Sequence, residues 1–246
     1  MYKDVSNEWT QLLSRRLVEF FYAADQTCIK SIYLQRRFPG RTHPSKITHE
    51  CLYGDTVAQA RVQENGLQYQ VSLSANQNIG FFIDMSEGRQ WLGNQAQGKH
   101  ILNLFAYTCS LSVVAMASGA LSVTNLDMSK NALKTGQINH RLNGTGQHNV
   151  RFLAHDIFKS WSILRKSAPY DLIIIDPPSF QAGSFEACRD YQKIIRRLPQ
   201  WAAAKATIMV CVNAPNLGAA FLKELFQDHL PDYRFQYQLK QPVQFP

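Results

Sequence analysis

The sequence predicts an α/β fold: a doubly wound, mostly parallel sheet preceded by a small N-terminal α+β element. Three observations carry that prediction. From about residue 98 onward, short apolar strands alternate with helical patterns. One of those strands, Leu172 to Ile175, is apolar at every position, as a strand covered on both faces must be. Acids stand where three of the strands should leave the sheet: Asp127, Asp156 and Asp176. In open α/β sheets that edge is where ligands bind.

Along the chain, Trp9, Leu12, Leu13, Leu17, Phe20 and Phe21 recur at helical spacing, so residues 4 to 24 are expected to form an amphipathic helix with its apolar face in a core. Residues 29 to 38 read as a strand, and 36 to 49, RRFPGRTHPSKITH, as a basic loop. That loop is either a solvated linker or a phosphate contact through Arg36, Arg37, Arg41 and Lys46. In AQARVQENGLQYQVSL the Asn65-Gly66 pair marks a hairpin turn, and Leu67, Tyr69, Val71 and Leu73 alternate with polar residues. The strands of the sheet follow at 100–105, 121–127, 150–156, 171–176 and 206–213, with helices over 109–118, 129–142, 186–203 and 216–228 and a short one after 156. Such alternation implies right-handed crossovers. The domains are therefore 1–75, a helix-and-hairpin element with a possible RNA contact, and 76–246, the sheet domain.

With 246 residues, 45% of them hydrophobic and 18% charged, the chain has an ordinary globular composition and is not expected to be disordered. A formal charge of +8 favours an anionic partner, nucleic acid first. Besides the loop at 36–49, the helix over 186–203 carries a second basic set, Arg189, Lys193, Arg196 and Arg197. Cys28, Cys51, Cys109, Cys188 and Cys211 form no CxxC pair, so neither a metal site nor a disulfide framework is indicated and a cytoplasmic location is expected. No stretch reaches 18 apolar residues, which argues against a membrane span.

At the strand ends, Asn103 to Ser110 forms the first loop, and no GxGxxG occurs in it, which counts against a nicotinamide cofactor. Asp127 lies about twenty residues further on, the spacing at which such folds place an acid on ribose hydroxyls. Asp156 could accept from an adenine amino group or cap the next helix. After Asp176, Pro177 and Pro178 remove two backbone donors and stiffen the corner, and Phe180 offers an aromatic face.

Taken jointly, VQENGLQYQVSL, NIGFFIDM, GKHILNLFAYTCSLSV, VTNLDMSKNAL, DIF and DLIIIDPPSF resemble the bacterial 23S ribosomal RNA methyltransferases that make 7-methylguanine or 5-methylcytosine. The resemblance runs from about residue 56 to 228. It implies a Rossmann-like class I methyltransferase, S-adenosylmethionine as cofactor, and 23S ribosomal RNA or its precursor as partner. By that resemblance Asn103, Phe105, Ala106, Tyr107 and Thr108 would hold the methionine end of the cofactor. Asp127 and Met128 would lie at the ribose, Asp156 and Ile157 at the adenine, and Phe82 and Asp84 would close over the cofactor. Asp176, Pro177, Pro178 and Phe180 would form the catalytic corner, with Asp176 also facing the cofactor. The chain departs from the family's pattern with Cys109 for a glycine and Ser86 for an arginine. No N-terminal PUA domain is recognisable, and no closing antiparallel strand is legible after YRFQYQLK.

Cytosine C5 is a poor nucleophile and needs a thiolate to add to the ring first, whereas guanine N7 owns a lone pair. At the end of the fifth strand Asn213 stands where the cytosine-modifying relatives carry their cysteine, which favours guanine. The alternatives are cytosine chemistry through Cys211, a degenerate RNA-binding module without catalysis, and, last, a nicotinamide oxidoreductase.

Overall fold

The structure, a computed structural model, describes residues 6–23, 29–38, 46–74, 78–146, 149–181, 184–214 and 216–243. Two compact units arise, one of residues 1–62 and 70–80, the other of 63–69 and 81–246. The domain boundary expected at residues 75 and 76 lies outside the described residues, as do Cys28 and Arg41.

In the first unit α1 (Asn7–Ala23) is followed by β1 (Ser31–Phe38) and β2 (Lys46–Gly54), an antiparallel pair with an irregularity at Ile32/Tyr33. The basic segment expected to loop from 36 to 49 is thus strand at both ends. Its β-branched Ile47 and Thr48 suit a ribbon. The Arg36 guanidinium donates to Asn7 Oδ1 at 2.9 Å. Helix α1 also departs from expectation. Thr10 and Ser14 are its buried residues, while Trp9, Leu12, Leu13 and Phe20 are exposed. A two-stranded ribbon is too small to cover a wide apolar stripe.

Next come β3 (Gln59–Glu64) and β4 (Leu67–Ser72), joined by Asn65 and Gly66 at φ 49° and 81°. Positive φ at both central positions defines a type I′ turn, which is why Asn-Gly stands there. A 3-10 turn at Ile83–Met85 leads into α2 (Ser86–Gln95), a helix the sequence pattern did not reveal because glycines at 88 and 93 weaken it. The remaining elements are β5 (His100–Leu104), α3 (Ser110–Ala117), β6 (Ser122–Asp127), α4 (Lys130–Leu142), β7 (Val150–Ala154), α5 (Trp161–Lys166), β8 (Tyr170–Ile175), β9 (Phe180–Gln181), β10 (Phe185–Glu186), α6 (Ala187–Ile195), β11 (Ala202–Val210) and α7 (Ala219–His229).

Five strands form one parallel sheet in the order β11-β8-β5-β6-β7. The order reverses between β5 and β8, the place where doubly wound folds open a crevice. Successive residues of the strands serve opposite faces. Leu102, Leu104, Ile173 and Ile175 pack with residues of α6 and α7, and Ile101, Leu172 and Ile174 with residues of α2 and α3. Helix α6 stops at residue 195 instead of running to 203, and β11 starts at Ala202. Its alanines favour helix, yet Ala202 pairs with Tyr170 and the ladder prevails. Among the described residues no strand pairs with the outer edge of β11; residues 234 to 242 carry no regular structure, and Leu239 packs against the core cluster that contains Leu92 of α2. Among the described residues, too, no helix is long and apolar enough to cross a membrane.

Candidate functional site

The loop after β5 turns sharply: Phe105, Tyr107 and Cys109 all have positive φ, at 59°, 47° and 61°. Non-glycine residues rarely adopt that conformation, and runs of them mark a built constraint. The constraint is visible. Ala106 N–H donates to Leu126 O (3.1 Å), Tyr107 N–H to Asp127 Oδ2 (2.8 Å), and Cys109 N–H to Ala106 O (2.7 Å). From α4, Asn139 Nδ2 donates to Thr108 O at 2.9 Å. The Cys109 side chain is fully buried with Ala106 and Leu133 and turns toward α4. A Cβ on Gly136 of that helix would lie 2.5 Å from its sulfur, so the missing glycine of the loop is matched by a glycine opposite it. Burial, then the charge of Asp127, pushes the thiol well above its usual range.

Asp127 ends β6 with both carboxylate oxygens engaged, Oδ2 by Tyr107 N–H and Oδ1 by Ser129 N–H at 2.7 Å. Burial raises its pKa, and those two bonds pull the other way. Each oxygen keeps a lone pair for a hydroxyl. Met128 beside it is exposed, and its sulfur meets Ser184 Oγ at 2.8 Å. Asp156 caps the turn Ile157–Lys159 by accepting from Phe158 N–H at 2.9 Å, while Ile157 is 2% exposed. Asn103 lies on β5 just before the loop. Its side chain is buried and donates to Asn125 Oδ1 (2.9 Å), which opens a buried chain through Ser112 and His140 to Thr145. Burial lowers the pKa of His140 to about 4, so it is neutral.

Phe82 is exposed with its ring 5.7 Å from that of Tyr107, which places the segment before the sheet against the first loop. What holds it there is Arg89 of α2, a residue the sequence reading passed over. Its guanidinium is 1% exposed, reaches both oxygens of Glu64 at 2.5 and 2.7 Å, and donates to Phe82 O at 2.8 Å. The signal available in the sequence was a cation on the same stripe as Leu92 and Ala96, since a buried arginine needs an acid partner.

At the far side of the crevice Asp176 leaves β8. Its Oδ1 accepts from Asn213 Nδ2 at 2.8 Å, and the same amide donates to Pro177 O at 2.9 Å. Burial raises the Asp176 pKa; hydrogen bonds from Asn213 and Cys211 oppose the rise, and the charge of Asp84 adds to it. Burial first, then Asp176, pushes the Cys211 thiol well above its ordinary value. Pro177 is buried, Pro178 is exposed, and Phe180 opens the β9–β10 hairpin 65% exposed.

A doubly wound parallel sheet with an acid held at the end of the strand beside its switch point is the architecture of an enzyme that binds a nucleoside cofactor. The chain belongs to the S-adenosylmethionine-dependent methyltransferase family, whose profile matches residues 1–246. It is 37% identical over 149 residues to ribosomal RNA large subunit methyltransferase I of Aeromonas hydrophila, covering 58% of this chain and 38% of that one. To ribosomal RNA large subunit methyltransferase K/L of a Psychrobacter species it is 40% identical over 143 residues, covering 55% and 18%. It therefore spans well under half the length of these curated relatives. Among solved structures, a methyltransferase complexed with SAH superposes with a TM-score of 0.81 at 27% identity, covering 96% of this chain and 61% of the other.

Proposed function

We propose that this chain transfers a methyl group from S-adenosylmethionine to a base of ribosomal RNA, and that the base is guanine. The observation that carries the reading is the pairing, at one sheet edge, of a backbone-held Asp127 with the Asp176–Asn213 corner. The relatives' names supply the class of acceptor. A cytoplasmic location belongs to the same reading.

The donor set fits the cofactor. Asp127 would accept from the two ribose hydroxyls, Asp156 with its second oxygen from the adenine amino group, and the loop at 105–108 would pack against the methionine end. Phe82 and Asp84 would cover it. Bound there, S-adenosylmethionine supplies a methyl on a sulfonium, a leaving group that needs no protonation. Asp176, oriented by Asn213, would accept from the exocyclic amino group of a flipped guanine, and Phe180 would stack on its face, worth about 1–3 kcal/mol. Held between Asp176 and Phe180, the guanine would present its N7 lone pair to that methyl, and no proton would have to leave. Catalysis rests on alignment.

Cytosine chemistry needs a thiolate. The raised pKa of Cys211 keeps it protonated, which supports guanine. Calorimetry with S-adenosylmethionine, then single-turnover transfer of a labelled methyl to undermodified ribosomal RNA with identification of the base, tests the reading. A chain with no affinity at millimolar cofactor would sink it and leave the RNA-binding module. Cys211→Ser should transfer within about twofold of the wild-type rate; loss of transfer would favour cytosine.

A further inference from the structure

We infer that the flank formed by the C-terminal end of α6 and the start of α5 is a binding surface for single-stranded RNA; the inference rests on the RNA-acceptor reading and names where the chain outside the target base is held. A groove of about 440 Å³ lies there, lined by Phe158, Trp161, Lys193, Arg196 and Arg197. That volume is in the range of small-ligand pockets, about 300–1,000 Å³.

Two of its cations sit over aromatic faces. Lys193 Nζ is 5.3 Å from the centre of the Phe158 ring, and the Arg197 guanidinium is 5.5 Å from that of Trp161. Trp161 in turn stacks on the fully buried Trp201 at 5.4 Å and 26°, so its indole is held in place. Stacked aromatic rings and guanidinium planes are what unpaired bases lie on, and the charges between them meet phosphates.

The charges are not all equal. Arg189 and Lys193 share the buried Asp190, both at 2.7 Å. Among the described residues Arg196 and Arg197 face no carboxylate: Arg196 meets Gln192 Oε1 at 3.4 Å and His229 Nε2 at 3.5 Å, and Arg197 meets Gln200 Oε1 at 3.5 Å. A helix C-terminus alone would favour a cation, but it does not explain the aromatic floor. Two chain segments link the surface to the site. Phe158 follows Asp156 by two residues, and α6 starts directly after the hairpin that carries Phe180. From Ala187 to Arg196 the helix rises about 14 Å, the reach of a few nucleotides.

The test uses the 246-residue chain and a fluorescein-labelled single-stranded RNA oligonucleotide containing guanine, titrated over a salt series. The double variant Arg196→Gln/Arg197→Gln should lower the slope of log affinity against log salt by about 1.4, since each phosphate contact on a single strand contributes about 0.7. Its calorimetric affinity for S-adenosylmethionine and its melting midpoint should stay at wild-type values. RNA should also quench tryptophan emission, and Trp161→Phe should remove that quench while the RNA still binds. An unchanged slope together with an unchanged quench overturns the surface and leaves the methyltransferase reading standing. Variants that keep the RNA slope but lose binding to polyglutamate overturn it in favour of an acidic protein. A wild-type chain that binds S-adenosylmethionine but no RNA overturns the acceptor reading itself, and the surface with it.

Discussion

The two sides of the crevice hold their acids by different means. On the β6 side Asp127 is gripped by two backbone N–H groups, from Tyr107 and from Ser129 two residues away. On the β8 side Asp176 is held by a side chain arriving from the neighbouring strand's end, Asn213. Burial raises the pKa of both. The difference teaches that an acid held by backbone tolerates changes in surrounding side chains, whereas an acid held by a side chain can be retuned by replacing that one residue.

The largest effect is expected at the tuned acid. Asp176→Asn keeps the acceptor for Asn213 but loses the charge, so single-turnover transfer should fall by about 10- to 100-fold, the worth of a charged hydrogen bond at roughly 1.5–3 kcal/mol. Cofactor affinity should fall less than the rate, as for a contact that strengthens in the transition state. The same variant should be more stable at neutral pH. A pKa raised by folding contributes stability below the unfolded value, and that contribution is lost as pH rises through the folded value. At pH 7 the ionised Asp176 therefore opposes folding. The melting midpoint of Asp176→Asn should rise by a few degrees, about 2–4 °C per kcal/mol, and the gap should close toward acid pH. A lower midpoint at neutral pH would break the contrast between the two acids.

Asp127→Ala is expected to weaken S-adenosylmethionine binding by about 1–3 kcal/mol, because it would leave ribose hydroxyls without an acceptor. Calorimetry reads it, and a wild-type affinity would remove Asp127 from the site. The backbone-built side has one close packing dependence, which a double-mutant cycle exposes. Gly136→Ala should destabilise the fold by about 1–3 kcal/mol through its clash with Cys109, and Cys109→Gly in the same chain should restore most of the loss. Cys109→Gly alone should sit within about 1 kcal/mol of wild type, since relief of its left-handed backbone offsets the lost packing. Additive effects in denaturant melts would show that the two residues do not meet.

The smallest effect sharpens the comparison. Asn213→Ala leaves Asp176 in place and should lower transfer by about fivefold at neutral pH, for roughly 1 kcal/mol of hydrogen bond. The Asn213 bond lowers the Asp176 pKa, so without it the pKa rises and the acid limb of the pH–rate profile moves to higher pH. A profile that drops in height without shifting would show that Asn213 positions the base and does not tune the acid.

Much of this was legible in the sequence because it is local. Periodicity determined the five strands and their helices, the all-apolar Leu172 to Ile175 marked a central strand, and Asn65-Gly66 marked a type I′ turn, since each depends on backbone preferences and burial within a few residues. Spacing brought Asp127 and Asp156 to strand ends for the same reason. The strand order, the Arg89–Glu64 pair beneath Phe82, the burial of Asn103 and the bond from Asn213 to Asp176 were decided only by the tertiary structure. Each joins residues at least about twenty positions apart, and no local pattern specifies which distant side chain a buried polar group will meet. The exposed face of α1 makes the same point from the other side. Its apolar stripe is a local property, but covering it requires a partner surface, and that is a property of the assembled chain.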